Sequence, residues 1–299
     1  MKTQQQKAIE FKNLHERPGS FIVPNPWDPG TAKLLNYLGF EALATTSAGL
    51  AFSLGRPDLS RNLSRDEIFA NVKSIIEATD LPVSADLENG YSDCPAGVYD
   101  TIKLAGEIGL VGASIEDATG VKDNPIYDFG LAVEKIQAAV DAKNSFDFPF
   151  MLTARSENFI HGIDDLNDTI SRLQAYQEAG ADVLYAPDLK NYEDIETLVQ
   201  SVDQPINVMT SASFTVAKLT DIGVKRISIG SLFMRAALGE FLRAADEIKE
   251  KGTSTFANAA VSFGDLMEIF DDDKIPRQTN SDYACNLNPV VHSDQKHDR

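Results

Sequence analysis

The chain has 299 residues, 43% of them hydrophobic and 24% charged, an ordinary globular composition that excludes a disordered or fibrous protein. Asp and Glu total 45 against 27 Lys and Arg, a formal net charge of −18 that repels phosphate backbones and anionic lipid and argues against nucleic acid or a membrane as partner. Two cysteines, Cys94 and Cys285, are too few for a disulfide scaffold or a Cys-rich zinc site. The polar stretch 1–12 and the lack of a long apolar run predict neither a secretory signal nor a membrane helix, so a cytoplasmic protein is expected.

Along the chain, short apolar runs alternate with helical patterns. Strands are predicted at 21–25, 42–46, 82–86, 111–116, 150–155, 182–187, 205–209 and 226–230, most of them continuously apolar, as in parallel strands covered on both faces. Helices are predicted between them at 30–38, 65–79, 96–108, 129–144, 164–179, 192–201 and 215–221. Leu166, Ile170, Leu173 and Tyr176 fall on one helix face, and Gly180 supplies the left-handed turn that ends that helix. Eight such βα units imply an α/β protein with a (β/α)8 TIM-type barrel; an open doubly wound sheet is the alternative, since periodicity does not show closure. Helical patterns at 232–251 and 259–270 follow the eighth strand. The expected organisation is a barrel domain over 1–255, a C-terminal helical extension over 256–272, and a flexible acidic and polar tail over 273–299 that contains Pro276 and Pro289.

Polar residues cluster at the carboxyl ends of the predicted strands: Asn25 and Asp28, Thr45 to Ser47, Asp86 and Glu88, Glu116 and Asp117, Arg155 and Glu157, and Asn207. The amino ends carry mainly Pro82, Pro149 and Pro205. In a barrel these polar residues would ring one face, where barrel enzymes keep their sites. In Ser84-Ala85-Asp86-Leu87-Glu88-Asn89-Gly90-Tyr91, strand alternation would point Asp86 and Glu88 the same way, and Glu116 ends the next strand. Three neighbouring carboxylates call for a cation, and hard oxygen ligands suit Mg2+ or Mn2+. In the bland reading Asp86 caps the next helix and Glu88 pairs with an arginine such as Arg155.

Arg155 would meet a substrate carboxylate or developing oxyanion, or else form a salt bridge to Glu157 or Glu116. Thr45-Thr46-Ser47-Ala48-Gly49-Leu50 is a small-residue turn able to offer backbone N–H groups to an anion, although a plain strand-to-loop turn needs the same residues. The 223–231 run resembles a phosphate grip and equally an ordinary barrel strand. No strand ends in a lysine, which argues against Schiff-base chemistry, and no nucleotide-binding glycine motif is present. His15, His161, His292 and His297 form no ligand pair, and Cys94 in Asp-Cys-Pro suits packing or capping better than nucleophilic attack.

Over roughly residues 15–255 the chain resembles the isocitrate lyase/phosphoenolpyruvate mutase superfamily. The resemblance rests on Pro-Asn-Pro-Trp-Asp at 24–28, Thr-Thr-Ser-Ala-Gly-Leu-Ala at 45–51, Leu-Gly-Arg-Pro-Asp at 54–58, Asp-Leu-Glu-Asn-Gly-Tyr at 86–91, Ile-Glu-Asp at 115–117, Thr-Ala-Arg-Ser-Glu at 153–157 and Ala-Gly-Ala-Asp at 179–182. It implies Mg2+ held largely through water by Asp58, Asp86, Glu88 and Glu116, and a substrate that is a small 2-oxo or 2-hydroxy acid. The substrate carboxylate would meet Thr46, Ser47, Ala48, Gly49 and Leu50, with Arg155 beside the oxygen that becomes an enolate. It also implies a homodimer or homotetramer that swaps its last helices.

The chain departs from the pattern after Glu116. Lyases of the superfamily carry a Lys-Lys-Cys-Gly-His type loop whose cysteine donates a proton; here the segment runs Asp117-Ala118-Thr119-Gly120-Val121-Lys122-Asp123-Asn124-Pro125. It also lacks the lysine–asparagine pattern of the phosphonate enzymes, and it is short for a lid. The expected catalytic residues are therefore Arg155, Asp58 and Glu116, with Tyr185 or Asn207 as a donor from neighbouring strands. The expected reaction is cleavage of a carbon–carbon bond, by a lyase or decarboxylase, through an enolate-like intermediate. Carbon–phosphorus mutase or hydrolase chemistry is one alternative; a non-catalytic protein that binds Mg2+ and a 2-oxo acid is another.

Overall fold

The computed structural model describes residues 2–58 and 62–271, so the expectations for Cys285, His292, His297 and the tail from 273 fall outside the described residues. By its contacts the chain divides into two compact units, Met1–Ala236 and Ala237–Arg299.

The first unit holds eight parallel strands: β1 (Phe21–Val23), β2 (Leu43–Ala44), β3 (Val83–Asp86), β4 (Gly112–Glu116), β7 (Met151–Arg155), β8 (Val183–Tyr185), β9 (Ile206–Met209) and β10 (Arg226–Ser228). A short antiparallel hairpin, β5 (Ala118–Val121) and β6 (Asn124–Ile126), interrupts the series after β4. The ladder runs β1-β10-β9-β8-β7-β4-β3-β2. Its two ends meet through Ala44 N–H, which donates to Pro24 O at 3.0 Å, so the sheet is a nearly closed barrel rather than an open doubly wound sheet. Asn25 locks that seam: its amide donates to Thr45 O, and its Oδ1 accepts from the N–H groups of Ile229 and Gly230.

The surrounding helices are α2 (Pro29–Tyr37), α3 (Ser47–Ser53), α4 (Arg65–Glu77), α5 (Pro95–Glu107), α6 (Phe129–Lys143), α7 (Leu166–Glu178), α8 (Tyr192–Gln200) and α9 (Val216–Asp221); α1 (Gln4–Glu16) precedes them. Local chemistry starts several of them. Asp28 and Thr31 form a capping box on α2 with Pro29 in its first turn, and Ser64 and Glu67 form another on α4. Each strand is short and apolar because it is buried on both sides. Alternate residues such as Val83, Ala85, Ala113, Ile115, Leu152, Ala154 and Leu184 pack outward against the helices. Residues of the other parity turn into the lumen.

The lumen has its own core. Ala8, Phe11 and Leu14 of α1 pack with Phe21, Val23, Ala42, Val111, Met151 and Val183, closing the amino end of the barrel. The sequence of residues 1–12 is polar, yet most of it lies in α1. The sequence reading missed α1 because the few residues that face the lumen are spaced among glutamines, lysines and glutamates. Two further differences lie near the carboxyl end. The turn read at 45–50 is the start of α3, with Thr46 as its cap, and the segment read as a loop after Glu116 is the β5–β6 hairpin.

The second unit begins inside α10 (Leu232–Lys251), continues through a 3-10 turn at Thr255–Ala259 and includes α11 (Phe263–Ile269). The helix read at 259–270 is therefore shorter, its start given over to the 3-10 turn. Phe241 is 69% exposed and Phe263 81% exposed, an unusual display of apolar side chains. Among the described residues no helix is long and apolar enough to cross a membrane.

Candidate active site

Strand alternation turns Asp86, Glu116 and Arg155, the last residues of β3, β4 and β7, into the lumen at its carboxyl end. Glu116 and Arg155 are register partners in adjacent strands. The Arg155 guanidinium contacts three carboxylates: Nη1 to Asp86 at 2.9 Å, Nη2 to Glu116 at 3.1 Å and Nε to Glu157 at 2.8 Å. The salt bridges and the functional arrangement foreseen for Arg155 thus coincide. One guanidinium faces three acids, so the cluster is left with excess negative charge. Burial pushes the Glu116 carboxyl well above the usual carboxylate range; Arg155 pulls it down, and Glu157, Asp86 and Glu88 push it further up. Glu157, itself buried, is raised for the same first reason.

Asp86 is held from several sides. Ser47 Oγ donates to its Oδ2 at 3.0 Å, Ser114 Oγ lies 3.4 Å from its Oδ1, and its own N–H donates to Thr45 Oγ1. It does not cap α5; Cys94 occupies that position and makes no capping hydrogen bond. Glu88 departs from the expected geometry. β3 ends at Asp86, and Glu88 has a left-handed backbone with φ of 47°, so strand alternation does not carry that far. Its charge nonetheless bears on Glu116 and on Tyr91, another left-handed residue, with φ of 56°. Among the described residues the buried Tyr91 hydroxyl has no hydrogen-bond partner. Asp58 lies on an exposed segment, yet lost hydration and the Asp86 charge raise its carboxyl, which places it within electrostatic reach of the cluster.

A second buried network stands behind the first. Asp117 accepts from the Glu157 N–H at 2.8 Å, from Tyr176 Oη at 2.7 Å and from Arg172 Nη1 at 3.1 Å. Arg172 also donates to Tyr127 O, and Asn89 donates to Ala118 O and Tyr127 Oη, which staples the β5–β6 hairpin to the barrel. Tyr185 places its ring under Arg155, with the guanidinium carbon 5.3 Å from the ring centroid.

The family model described as phosphoenolpyruvate phosphomutase matches residues 11–249. The chain belongs to that family. It is an enzyme of the isocitrate lyase/phosphoenolpyruvate mutase superfamily. A solved structure of a Burkholderia cenocepacia J2315 protein with a provisional lyase/mutase assignment shares 52% identity, covers 91% of this chain and 98% of its own, and superposes with a TM-score of 0.88. An uncharacterised protein of Mycobacterium tuberculosis H37Rv is 30% identical over 243 residues, which are 81% of this chain and 90% of that protein. The 2,3-dimethylmalate lyase of Eubacterium barkeri is 30% identical over 203 residues, 65% of this chain and 68% of its own.

Within this phosphoenolpyruvate mutase family member, the remaining predicted residues are placed as follows. Ser47, Ala48, Gly49 and Leu50 open α3 behind its cap Thr46. Their N–H groups are already partly used, Gly49 on Thr46 Oγ1, Leu50 on Thr46 O and Ser47 on Asp86. Asn207 is fully buried below the mouth, and its amide is engaged at both ends, by Arg226 Nε and by Ser228 Oγ. In the 223–231 run the N–H groups of Ile229 and Gly230 are already engaged by Asn25 Oδ1. His161 ends an exposed 3-10 turn. The sequence reading missed Ser114 and Thr45 as supports of Asp86, and it missed Tyr91, Arg172 and Arg226. The period-two alternation of β4, β7 and β10, with Ser114, Thr153 and Arg226 at inward positions, was the signal available for the polar lumen. A cavity of about 280 Å³ lined by Lys12, Phe146, Phe148 and Phe150 lies beside the amino end of β7, away from these groups.

Proposed function

We propose that this protein is a Mg2+-dependent enzyme that breaks a carbon–carbon bond in a small 2-oxo or 2-hydroxy dicarboxylic acid, as a lyase or decarboxylase. The observation that carries the reading is Arg155 at the end of β7, bonded to Asp86, Glu116 and Glu157. A guanidinium has five N–H donors; three are used on carboxylates, so others remain for a substrate oxygen. As the bond at C3 breaks, its electron pair moves onto the 2-oxo carbon unit and an enolate oxygen gains charge, which a fixed guanidinium stabilises without reorganisation.

The excess negative charge fits a divalent cation, for which Asp86, Glu116, Glu88 and Asp58 are the donors. Among the described residues no group of three or more Asp, Glu, His or Cys side chains is arranged to hold a metal ion directly; the resemblance implies that these residues hold it largely through water. Such an ion, Mg2+ or Mn2+, would polarise the oxygens of the acid and share the developing charge. The start of α3, Thr46 to Leu50, faces the same mouth through Ser47 and suits the substrate carboxylate. With neither cysteine nor histidine in the β5–β6 hairpin, the donor that completes the reaction comes from elsewhere in the lumen, and Tyr185 fits better than the doubly engaged Asn207.

The test is a Mg2+-dependent screen for pyruvate, glyoxylate or CO2 release from oxaloacetate, isocitrate, methylisocitrate and alkylmalates, with Asp86→Ala as control. Turnover abolished in a folded Asp86→Ala protein is expected; undiminished turnover in that variant refutes the reading. The family model's description favours carbon–phosphorus chemistry as a second reading, which phosphate release from phosphonopyruvate would establish. We also propose a cytoplasmic homodimer or homotetramer, supported by the exposed Phe241, Leu242, Phe263 and Met267. A monomer in sedimentation would remove that part.

A further inference from the structure

β7 ends at Arg155, and the three residues that follow it, Ser156, Glu157 and Asn158, are all buried. Chain that leaves a strand normally runs over the surface, so a buried exit needs polar partners. Several of those partners stand outside the barrel, on α7. There Asp168, Arg172 and Tyr176 recur every fourth residue and share one face of the helix. Asp168 accepts from Asn158 Nδ2 and from Arg172 Nε, each at 2.8 Å, and Asn158 Oδ1 accepts from Ser156 Oγ at 2.8 Å. Arg172 Nη1 and Tyr176 Oη both donate to Asp117 Oδ2, at 3.1 and 2.7 Å. Asp117 in turn straddles the strand end: its N–H donates to Arg155 O at 3.3 Å, and its Oδ1 accepts from the Glu157 N–H at 2.8 Å.

The hub of this arrangement is the Asp117 carboxylate. The Glu157 N–H and the Arg172 guanidinium can only donate, so they need an acceptor on both of its oxygens. Glu157, held through its N–H, sends its own carboxylate back to Arg155 Nε at 2.8 Å. Nε lies in the plane of the guanidinium next to the stem, and holding it sets the plane in which Nη1 and Nη2 reach Asp86 and Glu116. Stability does not account for such a stripe on a barrel helix, because apolar residues in place of a buried ion network are often neutral or stabilising. We propose that the Asp168–Arg172–Tyr176 face of α7, acting through Asp117 and Glu157, is a positioning device for the Arg155 guanidinium. The orientation of Arg155 follows from these contacts alone; its importance for binding an acid rests on the proposed function.

Two measurements on the full-length protein test this. The first is the NMR signal of the Arg155 Nε–H in ligand-free protein carrying isotope-labelled arginine, assigned by its loss in Arg155→Lys. Asp117→Asn sets an NH2 against one of the donors, and Tyr176→Phe removes one hydroxyl at constant shape; both shift the signal, Asp117→Asn the further. Phe11→Leu, in the lumen floor, lowers stability without touching the network and leaves the signal in place. A signal unmoved in Tyr176→Phe and in any folded Asp117→Asn protein, or moved as far by Phe11→Leu, overturns the positioning role. The second is calorimetric titration with oxalate at saturating Mg2+. Binding weakens about tenfold in Asp117→Asn and by a smaller factor in Tyr176→Phe, while Phe11→Leu binds as wild type does. Loss of a nearby negative charge would by itself tighten the binding of an anion, so the direction of the change separates positioning from charge. Full-strength binding by variants whose Arg155 signal has moved refutes the link between orientation and acid binding. Oxalate that fails to bind wild type refutes the functional reading, and the Arg155 signal then decides the positioning role by itself.

Discussion

At the amino end of the barrel, Phe11, Leu14 and His15 of α1 close the lumen with rings and aliphatic carbon; at the carboxyl end, Asp86, Glu116, Glu157 and Arg155 line the same lumen with charge. At the floor, burial of Phe11, which is wholly inaccessible, contributes stability on the order of 3–5 kcal/mol if judged by the cost of truncating a buried aromatic. At the mouth, three carboxylates crowd one guanidinium, and Glu88 and Tyr91 hold left-handed backbones that cost of order 1–3 kcal/mol each. Stability is gathered at one end of the strands, and at the other it is given up to keep charged groups in fixed positions.

The sharpest way to break this comparison is to remove Arg155. Arg155→Ala would leave Asp86, Glu116 and Glu157 facing one another without their shared cation, a loss of about 3–5 kcal/mol of folding stability in urea unfolding. If the proposed reaction holds, turnover falls by about 10²–10³-fold as well, the scale seen when an oxyanion donor is removed. A stability loss below about 1 kcal/mol would mean that the carboxylates do not depend on this arginine.

The two ends were not equally legible in the sequence. All eight strands of the barrel could be read, because double burial makes each a continuous apolar run, and their polar carboxyl ends marked the mouth. The floor could not, because α1 turns only Ala8, Phe11, Leu14 and His15 to the lumen with Lys7 buried beside them, too few apolar positions to outweigh its polar residues. For Glu88 the strand argument stops short: a strand's period of two holds only while the strand lasts, β3 ends at Asp86, and it is a left-handed backbone, not alternation, that carries the chain on to Glu88. Arg226 escaped notice because a cation at the start of a strand ordinarily reads as a solvent-facing end; only the closed lumen shows it buried among Asn207, Thr153 and Ser228.

The floor has its own weak point. His15 stands between the Phe11 and Phe21 rings with Nδ1 on Phe11 O, and burial, reinforced by the Arg226 charge, lowers its pKa to about 3. In the unfolded chain the same imidazole titrates near 6.5, so the unfolded state takes up the proton first. His15 therefore contributes no pH dependence above about 6.5; below it, stability drops by as much as about 1.4 kcal/mol per pH unit until the folded pKa is approached. Comparing urea midpoints between pH 7 and 4.5 should give wild type a decline that His15→Leu lacks over the same interval. Parallel declines in the two proteins would assign acid sensitivity to the mouth carboxylates instead.

The smallest effect separates position at the mouth from participation in its chemistry. Cys94 lies on the rim, between the Asp86–Tyr91 segment and α5, in the helix-capping position, exposed and without a capping bond. Serine is among the best residues at such a position because its oxygen accepts from an otherwise unpaired N–H in the first turn. Cys94→Ser should raise stability by about 0.5–1 kcal/mol and leave turnover of any acid found in the screen unchanged. The sign of the first change tests the cap, since a destabilised variant would mean that the thiol packs in a way a hydroxyl does not. The second tests the boundary of the site: a fall in turnover from so small a change would extend the chemistry to the rim, beyond the lumen-facing ends of β3, β4 and β7.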